Sequence, residues 1–246
     1  MCIIIAKKSG AELPTKEILK RCDDKNPHGI GICYKLPNGK VRIKKDFVTV
    51  EGLYDYLTSK ITLETELIIH FRIATSGLRD EGNRHPFAVV DDCMEMRKVN
   101  SVVDCALAHN GILSQYGRHA TYSDTMKFIK HIMSKDIVKN NIMDTTIQEL
   151  IIGTIGSDKL AIMNKEHFIL LGTFIESGGL YYSNRDFEYA LTRWSGFGHK
   201  KINKGLDYCA DCFKLDKLIY SPWHQDYICQ NCLQSSNVKG GYPHGI

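Results

Sequence analysis

Apolar and polar positions divide the chain into short segments. Ile3 to Ala6 is an unbroken apolar run, the pattern of a buried strand. Pro14 opens a segment with helical spacing that predicts a helix over about Thr15 to Cys22. Gly29–Tyr34 and Val41–Lys45 read as two strands joined across Asn38-Gly39, a dipeptide that favours a hairpin turn. Helical periodicity returns over Val50 to Ser59. Leu67–Ile73 then reads as a central strand ended by Ala74-Thr75-Ser76-Gly77. Asp104–Ala108 predicts another strand, running into a turn at His109-Asn110-Gly111. Ser123 is placed to cap a helix of about ten residues, and a second helix fits Thr145–Ile152. Strands are predicted at Lys159–Met163, His167–Leu171 and Gly179–Tyr182. Antiparallel strand signals mixed with helices in blocks predict layered α+β architecture and not a doubly wound parallel sheet.

The pattern changes from about Lys200, where paired cysteines replace long apolar runs. This predicts a main domain over 1–200, a minidomain over 205–235 and a flexible tail over 236–246. The length suits one large core plus a small module, and no internal repeat is visible. A net charge of +4 with scattered lysines does not argue for nucleic acid by itself. No apolar run approaches the roughly 18–20 residues that span a bilayer. At the N-terminus the apolar residues precede Lys7 and Lys8, the reverse of a secretory signal, so a cytoplasmic location is expected. There are nine cysteines. In a reducing compartment, paired spacing points to metal, while isolated cysteines are mostly small buried hydrophobes.

Cys2 is where chemistry begins. Removal of Met1 leaves a thiol and a free α-amine on one residue, and an amine of pKa about 7.7–8.0 can carry the thiol's proton. Taken alone, Cys2 reads more simply as part of a buried strand. Three further segments change that balance. Arg72 stands in an apolar strand, His70-Phe-Arg-Ile-Ala-Thr-Ser-Gly77, and needs an anionic partner, either a structural carboxylate or a ligand. In Ala108-His-Asn-Gly111, Asn110 offers side-chain N–H groups and Gly111 an approachable backbone N–H; the pair reads as an oxyanion hole or as an ordinary turn. Asp124 follows the predicted cap and suits either the helix dipole or a substrate ammonium group.

The order Cys2, HxRxATxG at 70–77, His85-Pro86, AHNG at 108–111 and Ser-Asp-Thr at 123–125 resembles class II glutamine amidotransferases of the Ntn-hydrolase superfamily. Asn26-Pro-His-Gly-Ile-Gly31 is similar to a loop of the shorter members, and the resemblance covers about residues 2–195. It implies a four-layer αββα sandwich. It also implies that Cys2 is the nucleophile with its α-amine as base, and that Asn110 and Gly111 hold the oxyanion. Arg72 is then expected to bind the α-carboxylate of glutamine, Asp124 its amino group, and Thr75 to line the pocket. His70 and His85 are expected to be structural. The chain departs from the family pattern at Ile3, Ile73 and His28, positions that bear on selectivity between glutamine and another γ-glutamyl amide. The family's synthases carry an ammonia-accepting domain on the same chain. The roughly 50 residues after 195 are too few for one. A separate synthase subunit is therefore an expected partner, with a stand-alone amide hydrolase or a non-catalytic binding module as alternatives.

The second motif is Cys209-x₂-Cys212-x₁₆-Cys229-x₂-Cys232. Four thiols in two close pairs match a tetrahedral zinc ribbon, and a full cysteine set leaves no open position, so structural Zn²⁺ is expected. Redox-active pairs lack a supporting βαβ pattern. Aromatic residues around the pairs, with Lys200, Lys201, Lys204, Lys214 and Lys217, suit either a small core and its rim or contact with nucleic acid or protein.

Overall fold

The computed structural model describes residues 2–73, 78–117, 119–188, 206–208, 215–221, 226–231 and 233–234. Compactness divides the chain into two units, Met1–Ala190 and Leu191–Ile246. In the first, β1 (Ile3–Lys7) leads to α1 (Lys16–Lys25), a hairpin of β2 (Ile30–Lys35) and β3 (Val41–Phe47), α2 (Val50–Lys60) and β4 (Leu67–Phe71). Next come β5 (Phe87–Ala88), α3 (Cys93–Met96), β6 (Asn100–Val103) and β7 (Cys105–Asn110). Three helices follow, α4 (Asp124–Phe128), α5 (Asp136–Lys139) and α6 (Thr145–Ile155). The unit closes with β8 (Lys159–Asn164), β9 (Phe168–Leu171), β10 (Ile175–Ser177) and β11 (Leu180–Tyr182).

The strands form two sheets, β10-β11-β1-β4-β2-β3-β6 and β5-β7-β8-β9. Every pairing in them is antiparallel. Successive strand side chains point to opposite faces, and here that alternation separates three cores. Ile3, Ile5, Ile30, Ile32, Leu67 and Ile69 pack against Leu19 of α1 and Leu53 and Leu57 of α2. The alternate residues Ile4, Cys33, Val41, Ile43 and Ile68 meet Ala88, Ala106, Ala108, Ala161 and Met163 of the other sheet. On that sheet's far side, Leu107, Leu160 and Ile162 pack against Met126, Phe128, Ile151 and Ile155 of the helices. The result is a mixed α/β sandwich of four layers, helices–sheet–sheet–helices. Both faces of the large sheet are covered, which is why β1 and β4 read as continuous apolar runs. Each fully buried Ile or Leu contributes about 1.5–3 kcal/mol.

In the inter-sheet layer the small sheet contributes mostly alanines, and one glycine sets a close approach. A Cβ on Gly31 would lie 2.0 Å from the carbonyl oxygen of His85, so any side chain there forces the backbones apart.

Local chemistry fixes the helix ends. Thr15 Oγ1 accepts the Ile18 N–H at 3.4 Å, with Glu17 in the first turn and Lys25 in the last; both charges complement the helix dipole. Asp144 caps α6 through the N–H groups of Thr146 and Ile147, and Gly156 ends it at φ +61°. Ser123 caps α4 through Met126, as the sequence predicts. The ten-residue helix expected there is not uniform. After Phe128 it widens into a π-helical turn over Ile129–Met133, closed by Ser134 N–H to Ile129 O at 2.8 Å. β7 also runs two residues beyond the predicted strand: Asn110 pairs with Lys159, so His109 and Asn110 belong to the ladder and the turn begins at Gly111. The predicted Leu67–Ile73 strand ends at Phe71.

In the second unit, β12 (Leu206–Tyr208), β13 (Leu215–Ser221) and β14 (Asp226–Cys229) form a three-stranded antiparallel sheet. The expected tail at 236–246 lies outside the described residues.

Candidate active site at one end of the inter-sheet layer

Strand register places the first two candidate residues together. Ile3 pairs with Phe71, so Cys2 and Arg72, next along antiparallel strands, stand side by side where β1 begins and β4 ends. Both continue the parity of Ile4 and Ile68, whose side chains fill the inter-sheet layer. The Cys2 sulfur accepts the Ile73 N–H at 3.3 Å and lies 3.4 Å from the Ile73 carbonyl, to which the thiol can donate. Burial pushes the Cys2 thiol above its ordinary pKa, against the lowering effects of the Ile73 N–H and the Arg72 charge. The resting group is therefore a neutral thiol, which needs a proton acceptor before it can attack. Arg72 is itself buried, with burial lowering its pKa and nearby Cys2 and Asp80 opposing that shift. Its Nη1 donates to Leu78 O at 2.9 Å.

Asn110 reaches the same strand from the other sheet. Its amide nitrogen lies 2.8 Å from Ser183 Oγ, and that oxygen accepts the Ile4 N–H at 2.8 Å. The Ser183 N–H returns to Ile4 O at 3.0 Å. One residue on, Asn184 Nδ2 donates to Cys2 O at 2.8 Å. The hold extends to Asn26, whose Nδ2 donates to Cys22 O and to Asp186 Oδ2. Asp186 N–H in turn bonds to Asn184 Oδ1. The Asn26–Gly31 loop also joins Arg72 directly, through His28 N–H to Arg72 O and Arg72 N–H to Gly29 O, both 2.9 Å. The Asn26-Pro-His-Gly segment is thus tied to residues 183–186 and to the end of β4. Ser183, Asn184 and Asp186 were missed in the sequence, where the last predicted strand stops at Tyr182.

Gly111 sits at φ +154°, a region glycine favours. A Cβ there would fall 1.8 Å from Asp158 Cγ. Asp158 bonds His109 Nε2 at 3.0 Å, and His109 Nδ1 bonds Thr125 Oγ1 at 2.9 Å. Beside Thr125, the Asp124 carboxylate accepts the Leu113 N–H on Oδ2 and the Thr125 N–H on Oδ1, each at 2.8 Å. Asp124 therefore braces the loop after Gly111, a duty the sequence did not suggest. Oδ1 also lies 3.4 Å from Thr125 Oγ1, so it is Oδ2 that keeps a second lone pair for an ammonium group.

Three histidines lie nearby. His70 stacks on His85 with ring centroids 4.4 Å apart, and His85 Nδ1 accepts the His109 N–H at 3.1 Å. Burial, then the Arg72 charge, holds His70 down to about 3. Burial and the neighbouring His70, His109, Arg72 and Lys45 hold His85 well below its ordinary value. Both rings are neutral near pH 7, which fits a structural duty.

The site thus brings together Cys2, Arg72 and Asn110, with Gly111 in the adjoining turn and Asp124 at the start of α4. Thr75 lies outside the described residues, as do Cys209, Cys212 and Cys232; Cys229 is buried at the end of β14. Of the lysines near the cysteine pairs, only Lys217 is described, and it is exposed. Among the described residues no group of three or more His, Cys, Asp or Glu is arranged to hold a metal. None of their helices is long and apolar enough to cross a membrane.

No family model matches the chain, and no curated protein matches it. Among solved structures it is similar to the glutamine phosphoribosylpyrophosphate amidotransferase from B. subtilis, complexed with ADP and GMP. The likeness covers 76% of this chain and 42% of that one, at 18% identity and a TM-score of 0.48. This chain therefore spans less than half the length of that structure.

Proposed function

We propose that this chain is an N-terminal-nucleophile glutamine amide hydrolase of the class II amidotransferase type. The observation that carries the reading is the convergence on the start of β1. A half-buried thiol stands beside a buried guanidinium, and the asparagine amide of the facing sheet meets a serine hydroxyl bonded to the same strand.

After removal of Met1, the α-amine of Cys2 takes the thiol proton, directly or through one water. The sulfur attacks the side-chain carbonyl carbon of glutamine and the carbonyl π pair moves to oxygen. Asn110 and the Gly111 N–H stabilise that oxyanion. The ammonium of Cys2 returns its proton to the leaving nitrogen as the C–N bond breaks, releasing ammonia and leaving a thioester. Water, deprotonated by the same amine, adds to the thioester; collapse expels the sulfur, which regains a proton, and glutamate leaves. A neutral resting thiol suits this scheme, because the thiolate forms only when the neutral amine takes its proton. Arg72 supplies the positive charge for the α-carboxylate and Asp124 the negative charge for the α-amino group. Thr75 is assigned to the same pocket. A separate ammonia-accepting subunit is the proposed partner, and the four cysteines at 209, 212, 229 and 232 are proposed to hold a structural zinc.

The test is ammonia release from glutamine by the purified protein, with labelling by a glutamine-like diazo-ketone. Activity is expected in the parent and absent in Cys2→Ala, with the label on Cys2 and an intact mass lacking Met1. Retention of Met1, or turnover that survives Cys2→Ala, refutes the mechanism. Turnover of γ-glutamyl peptides in place of glutamine reassigns the substrate.

A further inference from the structure

The hydrogen bonds around Asn110 do not close. Ser183 Oγ receives two N–H groups, from Ile4 and from the Asn110 amide, each at 2.8 Å. Two acceptor sites are all a hydroxyl oxygen has, and its own O–H then still needs an acceptor. Meanwhile Asn110 Oδ1 is buried without a partner, a costly state for a carbonyl oxygen. Amide oxygen and nitrogen exchange places on a half-turn of the side chain, and the hydrogen-bond network decides between the two orientations.

The turned orientation pairs both the Ser183 O–H and Asn110 Oδ1, and leaves the NH₂ for a ligand oxygen. The Ile4 N–H is a fixed donor, so it claims one lone pair of Ser183 Oγ and leaves the Ser183 O–H to donate. With the amide turned, that O–H meets Asn110 Oδ1, and the Asn110 NH₂ occupies the place where the unpartnered oxygen now lies. The amide then presents both its hydrogens away from Ser183.

We propose that Ser183 is the positioning residue of the oxyanion hole: its hydroxyl, clamped by the Ile4 N–H, donates to Asn110 Oδ1 and turns the amide N–H groups toward the developing oxyanion. The inference rests on the function proposed above. Ser183 touches no reacting atom, and its effect passes through Asn110. Its own N–H also holds Ile4 O at 3.0 Å, a backbone bond that Ser183→Ala keeps. Without the hydroxyl, the amide is free to offer its oxygen, which repels the oxyanion.

The experiment is a double-mutant cycle on ammonia release from glutamine, with iodoacetamide alkylation of Cys2 as a readout that needs no oxyanion hole. Asn110→Ala is expected to lower kcat about 10²–10³-fold, the usual loss of one such donor. Ser183→Ala is expected to lower kcat about ten- to a hundredfold with KM nearly unchanged, and Ser183→Thr to restore most of it. The pair Ser183→Ala/Asn110→Ala is expected to be no slower than Asn110→Ala alone, because the serine acts only through the amide. Cys2 alkylation is expected at the parent rate in Ser183→Ala, which excludes a displaced strand. Full kcat in Ser183→Ala, losses that multiply in the pair, or alkylation slowed in step with kcat each overturn the inference. A parent protein that releases no ammonia overturns the functional reading instead, and the inference with it.

Discussion

Gly111→Ala probes the loop on which the proposed oxyanion site depends, and its cost follows from the geometry. The new Cβ would lie 1.8 Å from Asp158 Cγ and 2.1 and 2.2 Å from its oxygens, so the carboxylate must leave. Its departure breaks the bond to His109 Nε2 and strands a buried ring N–H. A hydrogen bond to a charged group is worth about 1.5–3 kcal/mol. Alanine at φ +154° adds backbone strain of about 1–3 kcal/mol. The sum is about 2.5–6 kcal/mol, and with about 2–4 °C lost per kcal/mol in a domain of this size, melting is expected to fall by about 5–24 °C. Thermal unfolding followed by circular dichroism at neutral pH measures it. Asp158→Gly provides the control: added to Gly111→Ala it removes the collision, so the pair should differ from Asp158→Gly by the strain alone. A melting point for Gly111→Ala within about 2 °C of the parent, less than about 1 kcal/mol, refutes the reasoning.

Acid should act first on the stacked histidines. In the unfolded chain they titrate near 6.5, while His70 is held down to about 3 and His85 well below its ordinary value. Both bind protons more readily when unfolded, so stability is complete above pH 6.5 and falls as pH drops toward the folded values. Each contributes a slope of about 1.4 kcal/mol per pH unit. His70→Gln should flatten the slope between pH 6.5 and 5 by about one proton; an unchanged slope in denaturant titrations rules this out. For the cysteine quartet, protein purified under reducing conditions is expected to carry about one zinc per chain and to lose it in Cys212→Ser and Cys229→Ser. Metal analysis finding none in the parent ends that proposal.

Much of the fold was legible because both faces of its central strands are buried. Ile3–Ala6 and Leu67–Phe71 announce themselves as apolar runs, and Arg72 stands out by interrupting one. The hairpin was legible in Asn38-Gly39 and the α4 cap in Ser123. What escaped reading depends on partners far along the chain. Asn-Gly at 110–111 signals a turn locally, but pairing with Lys159 carries β7 through Asn110. Ser183 and Asn184 acquire meaning only from bonds to residues 4 and 2, and from Asn110. No local pattern encodes contacts across some 180 residues. Asp124 was recognised by position, but its grip on Leu113 required the folded loop.

β1 lies between β4 and β11, which carries a consequence for timing. Residues 3–7 cannot be closed on both edges until 180–182 have emerged from the ribosome. At about 5–20 residues per second, that leaves a gap of roughly 10–40 s during translation. Throughout it one edge of β1 stays unpaired, while Ser183 and Asn184 have yet to be made. Under the proposed mechanism, the strand that follows the nucleophile is thus completed only when synthesis is nearly over.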